Sequence, residues 1–408
     1  MRISAVLRER PIFAVAAAIA LAVAIVVASV LAGSGQRGAY VGAPVPENRV
    51  VATVQTNGTG YSDSLRALMR AARARPDDLA SASLAARGLI AEGRAAGDSR
   101  LVGASLGLLR PFMAEPAVET LVLAATARQY QHDFTGALTL LDRAIAADPR
   151  HAEAILTRAT IQIVLGRFDL AARDCKALHA LPQPQLGYLC QATSLILTAQ
   201  APKIYERLQV ITGQPGLLEP GLHGWAVGLM GEIAMLQGDD EAAARHFAAV
   251  VAADPLAIRE RLLLVDVLLK GGRLNAALDL MKDIPDVDGV LIRRVLAAVA
   301  LGDSRTADPA RAELARRFKL NLDLGLTAHA REEARYFLQI AGDPVQALAR
   351  AKVNWALQHE IEDAQLLLDA AVAAGDPGAA KPVLLWMQEQ GVQVPTLRIA
   401  ASVRKAAE

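Results

Sequence analysis

The chain has 408 residues, with 43 Lys and Arg against 42 Asp and Glu, so it lacks the basic excess that drives sequence-independent binding to phosphate backbones, and nucleic acid is not an expected partner. Apolar residues make up 53% but aromatics only 4%, a mixture dominated by Ala, Leu and Val that suits closely packed helices rather than a sandwich or barrel of β-branched and aromatic strands. Two cysteines, Cys175 and Cys190, are too few for a disulfide framework or a thiolate metal site.

Residues 1–11 are expected to be a cytoplasmic N-terminus and 12–32 a transmembrane anchor. The run Ile12–Ala32 is uncharged, and its 21 residues span roughly 30 Å as a helix, the thickness of a bilayer's hydrocarbon core. It is long for the apolar centre of a cleaved signal. Val30-Leu31-Ala32 nevertheless has the small-residue character of a cleavage site, so a long signal sequence stays open. Arg2, Arg8 and Arg10 precede the run and only Arg37 follows closely. Positive charge on that side keeps the N-terminus cytoplasmic and exports the remainder, to the periplasm in a Gram-negative host. The excess of Arg over Lys and the abundance of Ala fit a GC-rich bacterial genome. Leu31-Ala32-Gly33-Ser34 has the outline of a lipoprotein box but puts Ser34 where the lipidated Cys must stand, which removes lipid anchoring.

Residues 33–61 form a flexible linker rich in Gly, Pro and polar residues. Gly33-Ser34-Gly35-Gln36-Arg37-Gly38 matches the glycine string of dinucleotide-binding turns, but it follows a membrane span instead of a strand, so no cofactor is expected there. Asn57-Gly58-Thr59 is a turn before it is a glycosylation acceptor.

Residues 62–408 read as an all-α solenoid of helix pairs. Their turns are Gly97-Asp98, Gly166-Arg167, Gly238-Asp239, Gly272-Arg273, Gly302-Asp303, Gly342-Asp343 and Gly375-Asp376, with His132-Asp133 in the same role. Gly238 to Gly272 is 34 residues, His132 to Gly166 is 34, and Gly342 to Gly375 is 33; a fixed period of this size marks stacked supersecondary units. Punctuation is lost between Pro184 and Leu222, and the stretch at Ile284-Pro285 is irregular.

Three units carry a resemblance to the tetratricopeptide repeat. They are His132-Asp133-Phe134 with Ala137, Leu141, Ala144 and Pro149; Gly166-Arg167-Phe168 with Ala171 and Cys175; and Gly231 with Gly238-Asp239-Asp240, Ala243, Phe247 and Pro255. Ala lets two backbones approach, a bulky side chain fills the next groove, and Pro cannot continue a helix. The resemblance implies a superhelix whose concave face is made largely by the first helix of each pair, and a partner that is another protein or an extended peptide. Groove-facing positions on those first helices are then Gln129, Thr160, Trp225, Glu232, Arg259, Asp266, Glu332, Tyr336, Gln339, Gln365 and Asp369. Trp225 and Tyr336 are candidate anchors if they do not belong to the core between hairpins. Acidic residues outnumber Arg259 in this set, which favours a moderately basic or polar segment. Family members that clamp a terminal carboxylate use Lys and Asn where this chain has Val122, Thr126, Leu156 and Thr160, so that mode is not expected.

No catalytic constellation emerges. His132, His151, His179, His223, His246, His329 and His359 are scattered, His359-Glu360 reads as solvated, and no HExxH, nucleophile-elbow or phosphate-loop string is present. The acidic clusters Asp77-Asp78 and Asp239-Asp240-Glu241 stand at helix starts, where they cap free N–H groups. Cys175 and Cys190 fall on helices of consecutive pairs: either a disulfide in an oxidising compartment or two buried small residues. The expectation is therefore no enzyme, no metal, no cofactor and no small-molecule substrate. It is instead an inner-membrane-anchored interaction scaffold for an envelope protein complex, with a periplasmic chaperone-like holder and an accessory subunit of an envelope enzyme as alternatives.

Overall fold

The computed structural model describes residues 62–96 and 98–407, so the anchor expected at Ile12–Ala32 and the linker at 33–61 lie outside the described residues. No described helix is long and apolar enough to cross a membrane. A leading helix α1 (Asp63–Ala74) is capped by the Ser62 hydroxyl, which accepts from the Leu65 N–H. Nine hairpins follow among the described residues: α2 (Leu79–Ala96) with α3 (Ser99–Leu109), α4 (Val118–Tyr130) with α5 (Phe134–Ala147), and α6 (Ala152–Val164) with α7 (Phe168–His179). Next come α8 (Pro184–Leu195) with α9 (Ala201–Thr212), α10 (Pro220–Gln237) with α11 (Asp240–Ala253), and α12 (Ile258–Lys270) with the short α13 (Leu274–Leu280). The last are α14 (Asp288–Leu301) with α15 (Ser304–Asp323), α16 (Ala330–Tyr336) with α17 (Pro344–Trp355), and α18 (Ile361–Ala373) with α19 (Lys381–Gln390); α20 (Ala401–Ala407) ends the chain.

The turns work as their residues dictate. The turn glycines after α6, α10, α12, α14, α16 and α18 all have positive φ, and His132 (φ 60°) fills that left-handed position after α4. The next residue caps the following helix: Asp133 accepts from Gly136 N, Asp239 from Ala242 N, and Asp343 from Gln346 N. Inside the hairpins, Ala137, Ala171 and Ala243 are fully buried where two helices touch, and Leu141, Cys175 and Phe247 fill the adjoining grooves. Each large apolar side chain contributes about 1.5–3 kcal/mol of burial. At Gly231 a Cβ would lie only 2.6 Å from the Phe247 ring, so α10 and α11 owe their contact to its absence.

Cys175 of α7 and Cys190 of α8 are joined, with their Cα atoms 5.3 Å apart. Gly187 makes room for this approach, since a Cβ there would stand 2.6 Å from the His179 backbone nitrogen. The bond closes a loop with a sequence separation of 15 residues. Its reduction is expected to cost about 3 kcal/mol. Urea melts with and without dithiothreitol measure this, and coincident curves would show that the bond adds nothing. The following unit departs from the pattern expected of a hairpin: α9 packs on α10 rather than closely on its own partner α8.

The superhelix does not remain open. The His359 N–H donates to the Val164 carbonyl (2.7 Å), Trp386 Nε1 to Gly166 O (3.2 Å), and the Phe168 N–H to Gln390 Oε1 (3.1 Å). Further along, Gln393 N donates to Leu197 O (2.7 Å) and the Thr396 hydroxyl to Leu236 O (3.0 Å). A single apolar core holds Phe168, Leu189, Leu229 and Leu236 together with Trp355, Val383, Trp386 and Val394. The last hairpins thus dock on the turn between α6 and α7 and on the ends of α8 and α10, closing the middle and C-terminal hairpins into a ring.

Candidate functional site

The ring encloses a chamber of about 1050 Å³. First helices supply most of its wall: Gln129 from α4, Thr160 from α6, Trp225 from α10, Arg259 from α12, Arg293 from α14, Arg335 from α16 and Glu362 from α18 all face it. One sector is apolar, built from Leu156, Ile163, Ile196, Trp225, Leu229 and Ile361. The other is charged.

The charged sector is a ladder of ion pairs that step from one first helix to the next. Arg259 of α12 makes a bidentate contact with Glu232 of α10 (2.7 and 2.8 Å) and reaches Glu260 at 3.6 Å. Arg293 of α14 grips Asp266 of α12 through both carboxylate oxygens, and Arg335 of α16 stands 3.9 Å from the same carboxylate. Arg331 of α16 grips Asp363 of α18 (2.6 and 2.7 Å) and also meets Glu360. Near the N-terminus, Arg87 of α2 reaches Glu119 of α4 (2.7 Å) and Glu153 of α6 (3.4 Å) in the same manner. Such pairs fix the register between neighbouring repeats, and their planar, two-toothed geometry requires Arg rather than Lys.

Asp363 is fully buried and also accepts from Asn354 Nδ2 (2.6 Å) and the Glu360 N–H (2.9 Å). Burial pushes its carboxyl up to about 6, although Arg331 draws it down. Enclosure would raise the Glu362 carboxyl, but Arg331, Arg335, Arg293 and Arg259 around it outweigh that and hold it low. Glu362 and Arg259 both line the chamber and are solvent-accessible there. Burial and the neighbouring Arg293 lower Arg335.

His329 and Asp288 sit at the rim, 3.3 Å apart, with Arg317 3.0 Å from the other carboxylate oxygen. The hydrogen bond to Asp288 raises His329. At Asp288 burial acts upward, but His329 and Arg317 prevail and lower it. A raised histidine stabilises the fold fully below its unfolded pKa, about 6.5, and that stabilisation fades as pH rises through the folded value. A lowered carboxylate does the reverse, its contribution being lost as pH falls through its folded value. His329→Gln is therefore expected to melt below the parent near pH 6 and to match it near pH 8. Thermal melts across this interval decide; a gap independent of pH would refute the assignment.

Of the expected groove residues, Gln129, Thr160, Trp225, Glu232, Arg259 and Glu332 line the chamber. Asp266 lies behind the wall, holding Arg293. Tyr336 is instead a core residue, 8% exposed and packed on Phe318 and Phe337. The chamber-facing side of α16 runs through Arg331 and Arg335, and the next residue points about 100° away. Gln339 is exposed in a π-helical turn over Phe337–Ala341 and does not line the chamber. Gln365 and Asp369 hold the chain's own C-terminal segment: Gln365 exchanges hydrogen bonds with the Arg398 backbone, and Asp369 pairs with the Arg398 guanidinium at 3.1 Å.

His359 is half-buried rather than free in solvent. Its Nδ1 meets the Leu165 carbonyl at 3.0 Å, its ring lies edge-on to Trp355, and it stacks on Trp386, so it belongs to the ring closure. Arg293, Arg331, Arg335 and Glu362 escaped the sequence reading; the i,i+4 spacing of Arg331 and Arg335 on one first helix was their available signal. The acidity expected of the groove is mostly internal, since Arg259, Arg293 and Arg398 neutralise Glu232, Asp266 and Asp369. Among the described residues no group of His, Cys, Asp and Glu is placed to hold a metal ion.

Fold and chamber together define an all-α helical-hairpin solenoid closed around an internal chamber. No protein-family model matches this sequence, and no curated protein matches it. Among solved structures the chain is similar to a tetratricopeptide repeat protein from Parabacteroides merdae, at 14% identity and a TM-score of 0.37, covering 62% of this chain and 93% of that one. It is also similar to a chain of the APC/C hetero-tetramer Cut9-Hcn1, at 14% identity and a TM-score of 0.40, covering 81% and 68%.

Proposed function

We propose that this chain is a membrane-tethered interaction scaffold that recruits or organises an envelope protein complex by holding an extended segment of a partner in the chamber. The observation that carries the reading is the chamber itself: first helices of eight successive hairpins, α4 to α18, converge on one enclosed space with an apolar sector beside a charged one. Concave, mostly apolar sites with a few convergent polar groups are where ligands bind. The tether rests on the uncharged run Ile12–Ala32 and the arginines before it. This charge bias supports a cytoplasmic N-terminus with the solenoid on the exported side. The joined pair Cys175–Cys190 supports the same side, because disulfides persist in oxidising compartments.

A photo-crosslinking side chain at Thr160, inside the chamber, tests the reading in intact cells of the native host. Val210, 61% exposed on α9 and outside the chamber, is the control position. The scaffold predicts a dominant envelope partner captured from Thr160 and not from Val210. A long, heterogeneous set of exported clients would favour a chaperone-like holder, and dominant capture of cytoplasmic proteins would reverse the topology.

A further inference from the structure

Each guanidinium of the charged sector already has an acidic partner: Arg259 has Glu232, Arg293 and Arg335 share Asp266, and Arg331 has Asp363 and Glu360. Two carboxylates that line the chamber do not follow this rule. Among the described residues, the side chains of Glu332 and Glu362 have no hydrogen bond and no ion pair within 4.0 Å. They stand on α16 and α18, the neighbouring first helices that Arg331 and Asp363 tie together, and both lie in the fields of Arg293 and Arg335. Around the whole wall six carboxylates, Glu260 and Asp288 among them, face five guanidiniums, so the acidic balance is slight and rests on Glu332 and Glu362. Glu362 is exposed to the chamber, with the guanidiniums of Arg331, Arg335, Arg293 and Arg259 around it.

We propose that the chamber selects a cationic, apolar-flanked peptide segment, a Lys or Arg side chain of which is received by Glu332 and Glu362 while its neighbours pack on Trp225, Leu229 and Ile361. This rests on the scaffold reading and narrows it to one chemistry. An acidic segment would meet the unpaired carboxylates of Glu332 and Glu362, and Arg335 beside them already has Asp266. A charged space with low-dielectric walls focuses its field on an entering cation, and the attraction weakens as salt rises.

Fluorescein-labelled synthetic peptides of alternating Leu and Ser with paired lysines test the idea by anisotropy on the full chain. Counterparts carrying Gln or Glu in place of Lys, and spermidine as a small polycation, are measured beside them. The Lys peptide is expected to bind about tenfold more tightly than the Gln peptide, a difference of about 1.4 kcal/mol. The Glu peptide is expected not to bind. Combined Glu332→Gln and Glu362→Gln, which remove charge without volume, should erase the Lys preference and leave Gln-peptide affinity unchanged. Trp225→Ala should weaken both peptides; melting temperatures confirm that each variant is folded.

Equal binding of Lys and Gln peptides, or a preference untouched by the Gln variants, overturns the cation assignment. The chamber reading still stands in that event if Trp225→Ala weakens binding, and falls with it if Trp225→Ala does not. Absence of peptide binding up to about 1 mM overturns the proposal. Spermidine binding as tightly as the Lys peptide replaces the peptide with a small polycation and overturns it too.

Discussion

Gly166→Ala is expected to open the ring and to cost about 2–5 kcal/mol. Gly166 has φ +67°, and a Cβ there would stand 2.3 Å from Trp386 Nε1 and 2.8 Å from His359 Cβ. Left-handed backbone costs an L-residue about 1–2 kcal/mol, and forcing an atom into a packed contact adds about 1–3 kcal/mol. Gly272→Ala separates the two terms. Its φ is +70°, but nothing lies within 4 Å of the added carbon, so only the backbone cost should appear. Urea unfolding gives the energies, and small-angle scattering reports whether Gly166→Ala alone enlarges the radius of gyration. If both variants lose the same stability and keep the parent's dimensions, the docking of Trp386 on the turn between α6 and α7 is not what closes the ring.

Arg331→Met should cost about 3–5 kcal/mol, because it strands the fully buried Asp363 carboxylate without its cation. Asn354 and the Glu360 N–H remain as donors but carry no charge. Adding Asp363→Leu to Arg331→Met should recover part of the loss: it removes the stranded charge but leaves the Asn354 amide and the Glu360 N–H without their acceptor. The pH response has a definite sign. Without Arg331 the folded-state pKa of Asp363 rises further above the unfolded value, so the native state binds the extra proton and the single variant gains stability as pH falls from 7 toward 5. Denaturant melts at both pH values test this. A single variant no less stable than the parent, or a double variant as weak as the single, would show that the pair does not tie α16 to α18.

The hairpins were legible because their signals are local. Gly238-Asp239 announces a left-handed end and a cap within two residues, and Ala137, Ala171 and Ala243 repeat at the points where helices touch. His132 was recognised in the glycine role from its spacing, although few L-residues accept its φ of 60°. Ring closure left no such mark. It is made by carbonyl groups of Val164, Gly166, Leu197 and Leu236, which every sequence contains, and by Trp386, which reads as a core residue wherever it docks. The groove positions fared as their register allowed. Trp225 and Glu232, two helical turns apart, both reached the chamber, whereas Tyr336, assigned to the same stripe as Glu332, turned inward to Phe318. Gln365 and Asp369 do contact an extended segment, but it is the chain's own, and periodicity cannot distinguish a tail from a guest.

Closure also has a cost in time. The contacts that join the ring span 160 to 222 residues of sequence. At about 5–20 residues per second of synthesis, the turn at Gly166–Phe168 waits roughly 10–45 s for Trp386 and Gln390 to be made. An open array of repeats can add units as they emerge, each resting on the one before. Here the apolar faces of Phe168, Leu189 and Leu229 are covered in part by the last residues translated. A nonsense codon that removed only the end of the chain, beyond α18, would therefore uncover the middle of the molecule.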